Sequence, residues 1–439
     1  MRLPGKGLAG GARASGKPTT ISVLDIGSTK VVCMIAKLSP TADSVFLHGR
    51  THRAEVIGVG HQRSFGVKSG LIIDLDAAEQ SIRMAVDAAE RMAGMTVDSL
   101  IISATPGRLK SQIFKATIEL GGEEVSQRDV ERVLRAGFAQ AMKAERQVVH
   151  VLPVSHTLDG ERGVRDPKGL VGDQLGVTMH ALTADAAPLR NIELCVNRAH
   201  LSVESMVATP YASGLAALVE DEMEMGCACI DMGGGSTAIS VFAEGRFIHA
   251  DSVAVGGHHI TMDIARGLTV RVEDAERLKV MHASVIPAAE NDHDLVTVQP
   301  LSPDEAEIPQ QIPRAVLNRI VRARQEETLE LIRDRLNASG QGAVVGKRVV
   351  LTGGAAQLTG LGECARRILG RNVRVGRPLG VAGLPASAKG PAFATAIGLM
   401  IYPQVAETER QALRQSGGWR MTGTGGRLHR VGQWLRDSF

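Results

Sequence analysis

Along residues 227–242 an apolar run stops at an acid, passes three glycines and two hydroxyls, and becomes apolar again. The stretch reads Cys229-Ile230-Asp231-Met232-Gly233-Gly234-Gly235-Ser236-Thr237-Ala238-Ile239-Ser240-Val241-Phe242. Ile239, Val241 and Phe242 resume at strand-like spacing, so the pattern predicts strand, tight turn, strand. A P-loop or dinucleotide fingerprint runs from its glycines into a helix, and this stretch does not. The design recurs near the N-terminus as Ile21-Ser22-Val23-Leu24-Asp25-Ile26-Gly27-Ser28-Thr29-Lys30-Val31-Val32. Glycine turns let backbone N–H groups approach an anion, and Asp25 and Asp231 end their first strands, where a hydrated divalent cation could be held. Such internal repetition predicts two similar lobes facing one nucleotide.

The rest of the pattern fills in around these turns. Strands are expected at 20–26, 31–37 and Glu55–Gly60, then a helix from about Asp76 to Met92. Ile82, Ala85, Val86, Ala89 and Met92 share one face of it. From Gly94 to Asp173 the rhythm changes. Leu100–Ser103 and Ile113–Leu120 read as strands, and Ser126 as the N-cap of a helix reaching about Lys143. Strands near Gln147–Pro153 and Val177–Leu182 bracket a glycine-rich loop, Gly160–Gly172. This block carries no phosphate-binding pattern and reads as a small α+β insert for interaction. A helix (Pro188–Arg198) and a strand (Ser202–Val207) follow, then a helix of small residues opening at Thr209-Pro210. Beyond the second turn come a strand at Phe247–Val255 and a helix over 273–282, with Glu276 and Lys279 on one face. Spacing alone makes that couple a surface ion pair. Residues 287–313 read as an exposed, proline- and acid-rich connection, and Arg314–Leu336 as a charged helix. Val349–Leu358 is a buried strand, then Gly353-Gly354 and Ala355, then a helix. A second small-residue helix, Pro391–Tyr402, has Ala394 and Gly398 placed to cross the first closely.

Composition adds limits. A chain of 439 residues implies two or more domains. Hydrophobic content of 44% and charge of 22% are ordinary for a globular protein, and a net charge of +3 gives no drive toward nucleic acid. The five cysteines form no zinc-type pair, and Cys227 and Cys229 read as small buried hydrophobes on one strand face. Residues 1–18 are rich in glycine and basic residues, lack a signal peptide's apolar core, and read as a disordered leader. No apolar stretch is long enough to span a bilayer. Both tryptophans, Trp419 and Trp434, lie near the C-terminus. There a Gly/Ser/Thr-rich tether leads to a segment that puts Leu428, Val431, Trp434, Leu435 and Phe439 in one helical sector, with Arg427, Arg430 and Arg436 outside it. Burying five such side chains supplies roughly 7–15 kcal/mol gross. Ordering removes much of that and leaves a reversible attachment aided by anionic lipid. The alternative is a helix docked on its own domain.

Two phosphate turns, a strand–Gly-Gly–helix unit and two small-residue connecting helices, in this order over residues 20–402, resemble the actin, heat-shock chaperone and sugar-kinase nucleotide-binding fold. Within that superfamily the chain is similar to the FtsA family of bacterial cell-division proteins. The resemblance rests on the insert after the first lobe's helix, the run Leu351–Gly360 (LTGGAAQLTG) and the tryptophan-bearing amphipathic tail. It implies an α/β, actin-like ATPase fold with an SHS2-like insert. The first lobe would comprise 19–93, 174–208 and 381–403, the insert 94–173, and the second lobe 209–257 and 345–380. A further subdomain would span 258–344, a tether 404–426 and a membrane helix 427–439. ATP and Mg2+ are the implied ligands, with Asp25 and Asp231 holding the magnesium through water. Gly27, Ser28, Thr29 and Lys30 would meet the phosphates from one side and Gly233, Gly234, Gly235, Ser236 and Thr237 from the other. Gly353, Gly354 and Ala355 would pack the adenosine, and Glu276 and Lys279 would contact ribose and base.

Phosphoryl transfer needs a positioned water. Hydrolases of this fold place a Glu or Gln at the start of the first connecting helix, where this chain has Ala208 and Thr209. That departure implies slow hydrolysis at most, with ATP mainly a conformational or polymerisation ligand. The resemblance further implies self-association, contact with later division proteins through the insert, and peripheral attachment to the cytoplasmic face of the inner membrane at the septum. It places the FtsZ C-terminal tail on the 258–344 subdomain, where Arg314, Arg319, Arg322 and Arg324 form either a site for an acidic peptide or a solvated charged face. A pilus-assembly actin-like protein, a small-molecule kinase and an adaptor without nucleotide are the alternatives. No carboxylate base can be assigned for the kinase, and the intact acids and glycines argue against the adaptor.

Overall fold

The structure, a computed structural model, describes residues 18–40, 50–105, 109–142, 146–286, 292–299 and 309–405. The leader up to residue 17, the tether beyond residue 405 and the amphipathic tail lie outside the described residues.

The first lobe begins with a meander of β1 (Thr19–Ile26), β2 (Lys30–Pro40) and β3 (His52–Arg63). A short hairpin follows, β4 (Val67–Lys68) and β5 (Leu71–Ile72), then α1 (Leu75–Ala93) and β6 (Ser99–Ala104). Asp74 caps α1 by accepting from the Ala77 N–H at 3.0 Å, and Gly94 ends it in the left-handed conformation. Helix α1 lies directly on β3 because Gly58 and Gly60 face it; a Cβ at Gly60 would sit 1.7 Å from the Ala85 carbonyl oxygen. Ile82, Ala85, Val86 and Ala89 are buried as their spacing predicts, but Met92 is 55% exposed, one turn past the end of the buried stripe.

The insert holds β7 (Lys110–Glu119), α2 (Gln127–Ala141), β8 (Gln147–Leu158), β9 (Glu161–Val164) and β10 (Gln174–Ala184). Its sheet runs β7-β10-β8-β9, and α2, opened by a reciprocal capping box between Ser126 and Asp129, covers a core around Val133, Phe138 and Met179. The expected boundaries shift at both ends. Leu100–Ser103, assigned from sequence to the insert, lies in β6, which pairs parallel with β1 inside the first lobe. The strand at 177–182, assigned to the lobe, lies in β10, which pairs along its length with β7 and β8.

The chain returns through α3 (Ala186–Arg198) and β11 (Ser202–Ala208) to the connecting helix α4 (Thr209–Ala217). The second lobe has α5 (Glu220–Met225), β12 (Cys227–Met232), β13 (Thr237–Ala243) and β14 (Arg246–Val253). Its outer part has α6 (Gly257–Leu268), α7 (Val272–His282), β15 (Leu295–Val298), β16 (Gln310–Pro313) and α8 (Arg314–Ala338). Strand β17 (Arg348–Thr352), α9 (Leu361–Leu369), β18 (Asn372–Val375), β19 (Val381–Ala382) and α10 (Ala394–Val405) complete the described residues. The supposed open connection over 287–313 thus includes an antiparallel pair, β15 with β16, whose Val296 and Val298 are buried. Helix α6 was not anticipated.

The two lobes repeat one topology. In the first, β3-β2-β1 is antiparallel and β1-β6-β11 parallel; in the second, β14-β13-β12 is antiparallel and β12-β17-β18 parallel. The connecting helices α4 and α10 cross between the lobes at Gly398, where a Cβ would lie 1.8 Å from the Ala212 carbonyl oxygen. The insert also reaches the second lobe. His180 of β10 faces the Phe247 carbonyl oxygen through Nδ1 at 3.2 Å and the Ser111 hydroxyl through Nε2 at 3.0 Å. Burial pushes its pKa down to about 3, so the ring is neutral and donates once, to Phe247. Ser111 accepts from the Ala250 N–H at 2.8 Å, and its one hydroxyl proton faces two acceptors, the Ala250 carbonyl oxygen at 2.9 Å and Nε2 at 3.0 Å. Arg246 of β14 adds a bond to the Val154 carbonyl oxygen at 2.8 Å.

Candidate functional site

Both glycine turns are built alike. The Gly27 N–H donates to the Lys30 carbonyl oxygen at 3.0 Å, and the Gly233 N–H donates to that of Ser236 at 3.0 Å. In each, the acid lies two residues before that glycine, paired with the second strand: Asp25 opposite Val32, Asp231 opposite Ala238. The turns touch. A Cβ at Gly234 would meet the Thr29 side chain at 2.4 Å, and one at Gly235 would meet the Ser28 hydroxyl oxygen at 2.4 Å. Only glycine lets the lobes approach this closely.

Between them lies a cavity lined by Asp25, Gly27, Ser28, Thr29, Lys30, Gly70, Thr105, Thr209, Asp231, Gly233, Gly234, Gly235, Ser236, Gly353, Gly354, Ala392 and Thr395, among others. Its open space is about 100 Å³, below the roughly 300–1,000 Å³ of small-molecule sites.

The charges are buried together. Burial pushes Asp231 up to about 6; the nearby Asp25 charge adds to this, while a hydrogen bond from the Thr395 hydroxyl, at 2.9 Å, works against it. Asp25 is raised by burial and pulled back by Lys30. Lys30 is pushed down to about 8 by burial, against the attraction of both acids. Its ammonium lies 3.5 Å from the centroid of the Phe393 ring and donates to the Ala392 carbonyl oxygen. Two acids share one lysine, an excess of negative charge that a divalent cation would offset.

Of the residues assigned from sequence to nucleotide and magnesium, all but four line this cavity. Thr237 is fully buried, donates to the Val255 carbonyl oxygen at 2.8 Å and does not line the cavity. Ala355 sits beside Gly257, outside the lining. Glu276 and Lys279 pair at 2.6 Å, and Lys279 also donates to the Gly257 carbonyl oxygen at 3.1 Å and the Thr261 hydroxyl at 2.9 Å. The pair is therefore anchored to the start of α6, near Ala355 and off the cavity. Of the four arginines of α8, Arg324 bonds Asp263 at 2.5 and 3.1 Å, and Arg314 donates to the His282 carbonyl oxygen at 2.5 Å. Arg319 is exposed and Arg322 half-buried.

Thr105, Gly70 and Thr395 were missed. Thr395 had a visible signal, a hydroxyl within the otherwise apolar run Phe393–Met400. Thr105, hydrogen-bonded to the Thr209 hydroxyl, had none, because only the tertiary fold brings the end of β6 to the start of α4.

Comparisons with known proteins agree with this architecture. The family model "Cell division protein FtsA" matches residues 228–398, and "SHS2 domain inserted in FTSA" matches residues 106–183. The chain is 62% identical to the cell division protein FtsA of Rhizobium meliloti over 95% of both chains. It is 63% identical to that of Agrobacterium fabrum over 95% of both, and 29% identical to that of Escherichia coli K12 over 95% of this chain and 97% of the relative. Among solved structures it resembles a PilM-PilN type IV pilus biogenesis complex, with TM-score 0.57, 16% identity and coverage of 88% of this chain and 98% of that one. It also resembles MreB5 of Spiroplasma citri bound to ADP, with TM-score 0.51, 12% identity and coverage of 90% and 98%. The fold is the actin-like ATPase fold with an SHS2 insert, and the chain belongs to the FtsA family of cell-division proteins.

Proposed function

We propose that this chain binds ATP with magnesium between its lobes and serves division as a nucleotide-responsive adaptor. The adaptor self-associates and ties the FtsZ polymer to the cytoplasmic face of the inner membrane. The observation that carries the nucleotide part is the pair of matching turns, each with its acid, meeting face to face across one cavity. Magnesium keeps several of its waters and takes few protein carboxylates, which suits Asp25 and Asp231. The cation would draw both acids into their charged form and neutralise phosphate oxygens. Lys30 supplies a point charge toward the phosphates. The second turn's own carbonyl oxygens are drawn into bonds elsewhere, Gly233 with the Gly257 N–H at 2.9 Å and Gly234 with the His258 N–H at 2.8 Å, which lowers their repulsion of an anion. Thr105 and Thr209 line the cavity where a water-positioning carboxylate would stand, and neither hydroxyl takes up a proton at neutral pH. Hydrolysis is therefore slow, and the nucleotide acts on conformation and assembly. The MreB5 neighbour, solved with ADP, is in keeping with this reading.

The adaptor part rests on family membership and the amphipathic tail segment. Among the described residues no helix is long and apolar enough to cross a membrane. FtsZ tail and later partners are assigned to the outer second lobe and the insert, respectively. The test is equilibrium binding of a fluorescent ATP analogue with and without magnesium, followed by co-pelleting of an FtsZ tail peptide with vesicle-bound protein. Gly234→Val drives a side chain into Thr29 and should weaken nucleotide binding by about tenfold or more, as overpacking of about 1–3 kcal/mol implies. Absence of saturable, magnesium-dependent binding by the unaltered chain would remove the nucleotide reading, and failure to pellet the peptide would remove the adaptor reading.

A further inference from the structure

The insert meets β14 of the second lobe along a seam rich in imidazoles. His150 and His156 lie in β8, His180 in β10 and His249 in β14. Three buried ring nitrogens there have no hydrogen-bond partner: Nδ1 and Nε2 of His156, and Nε2 of His249. Buried polar groups are nearly always bonded, and an orphan costs free energy even when neutral. His156 is 7% exposed, so solvent does not make good the loss. A proton added to it in the closed seam would create a buried, unbonded cation, which costs far more.

The charges around these rings come from both sides of the seam. His156 faces Asp166 of the insert and Arg246 of β14, whose guanidinium is fixed to the Val154 carbonyl oxygen. Arg246 also faces Glu244, Arg165 and Glu224, and the last two pair with each other. His180 faces His249 and His150. His249 faces Asp251, which pairs with Arg335 of α8 at 3.6 Å. His150 is engaged elsewhere, its Nε2 accepting from the Ala208 N–H at 2.9 Å. Burial holds His156 and His249 below the ordinary imidazole value; Arg246 adds to this at His156, while Asp166 and Asp251 pull the other way.

We propose that this seam is a joint released by acid: proton uptake by His156 and His180 frees the insert from β14, while β10 still leads into α3 of the first lobe. The closed seam keeps both rings neutral. Once released, each returns to its ordinary value near 6.5 and takes up a proton as pH falls. The released form is therefore favoured below about pH 6.5, and the closed seam is fully retained above about pH 7.5. Between pH 7.5 and 5.5 His180 shifts the balance by about tenfold, and His156 by up to about a further tenfold. The proposal stands whether or not the cavity binds nucleotide. It makes the placement of the insert, and with it the proposed contact to later division proteins, depend on pH.

The experiment is hydrogen exchange of the full chain at pH 7.5 and 5.5, corrected for the intrinsic pH dependence of exchange. The Ala250 N–H donates to Ser111 across the seam, so peptides covering Arg246–Val253 report its opening directly. Their protection should fall by about tenfold or more at pH 5.5, while peptides of α1 keep theirs. His156→Leu removes the orphaned nitrogens without breaking a bond and should cut the fall by about threefold or more. Should that variant not fold, His156→Gln, neutral at either pH, answers the same question. The proposal is overturned if seam protection in the unaltered chain is the same at both pH values, or if α1 loses protection in step with it. It is equally overturned if the folded His156 variant keeps the whole effect.

Discussion

In the proposed site Asp231 would be subject to two opposing requirements. Burial favours its neutral form and lifts it to about 6, while holding a cation would require its charge. A carboxyl raised above its ordinary value costs stability wherever it is ionised. The cost is absent below pH 4, grows as pH rises toward 6, and is complete at neutral pH. Asp231→Asn keeps an acceptor for Thr395 and should stabilise the nucleotide-free protein at pH 7 by about 1–3 kcal/mol, measured by denaturant unfolding, while abolishing magnesium-dependent binding. In the unaltered chain the proton competes with the cation, so magnesium-dependent affinity should be about tenfold weaker at pH 5 than at 7.5, measured by titration. A flat profile would mean that Asp231 is ionised throughout this range. The two acids and both glycine turns were legible in the sequence because the chemistry there is local and repeated. The contact of Ser69 with the second turn was not, since Lys68-Ser69-Gly70 looks like any surface turn until the fold sets it against Gly235.

Helices α4 and α10 were legible as close-crossing partners from small residues alone, and Gly398 is where the crossing is tightest. In an exposed helix Gly→Ala would gain about 1 kcal/mol from helix propensity. At Gly398 the new methyl would strike the Ala212 carbonyl, so the sign reverses. Gly398→Ala should lose about 1–3 kcal/mol in chemical unfolding. An unchanged or raised stability would show that the two helices separate easily. Periodicity was a weaker guide to which sheet a strand joins. β6 and β10 are both apolar over most of their length, and nothing local in Leu100–Ser103 distinguishes pairing with β1 from pairing with β7. The helix α6 shows the same limit, because Gly256-Gly257 reads as a loop although the following Ile260, Ile264 and Ala265 carry helical spacing.

At the scale of the molecule, the proposed membrane attachment rests on the amphipathic pattern of residues 427–439, which lie outside the described residues. Trp434→Glu sets a charge in the apolar sector and should release the chain from anionic vesicles, read by co-sedimentation, with the fold intact by circular dichroism. Unchanged co-sedimentation would remove the membrane reading. The division into two related lobes was readable because the phosphate turns repeat. The contact of the insert with the second lobe was not, because it depends on a buried imidazole, His180, meeting backbone atoms about seventy residues away. That seam has a mechanical consequence. The insert grows from the first lobe yet is fastened to β14 of the second by Ser111, His180 and Arg246, while α4 and α10 join the lobes at a separate place. Any motion that parts the touching phosphate turns must therefore reckon with this seam as well: a jaw-like gape would strain its bonds, and a twist about it would strain them less.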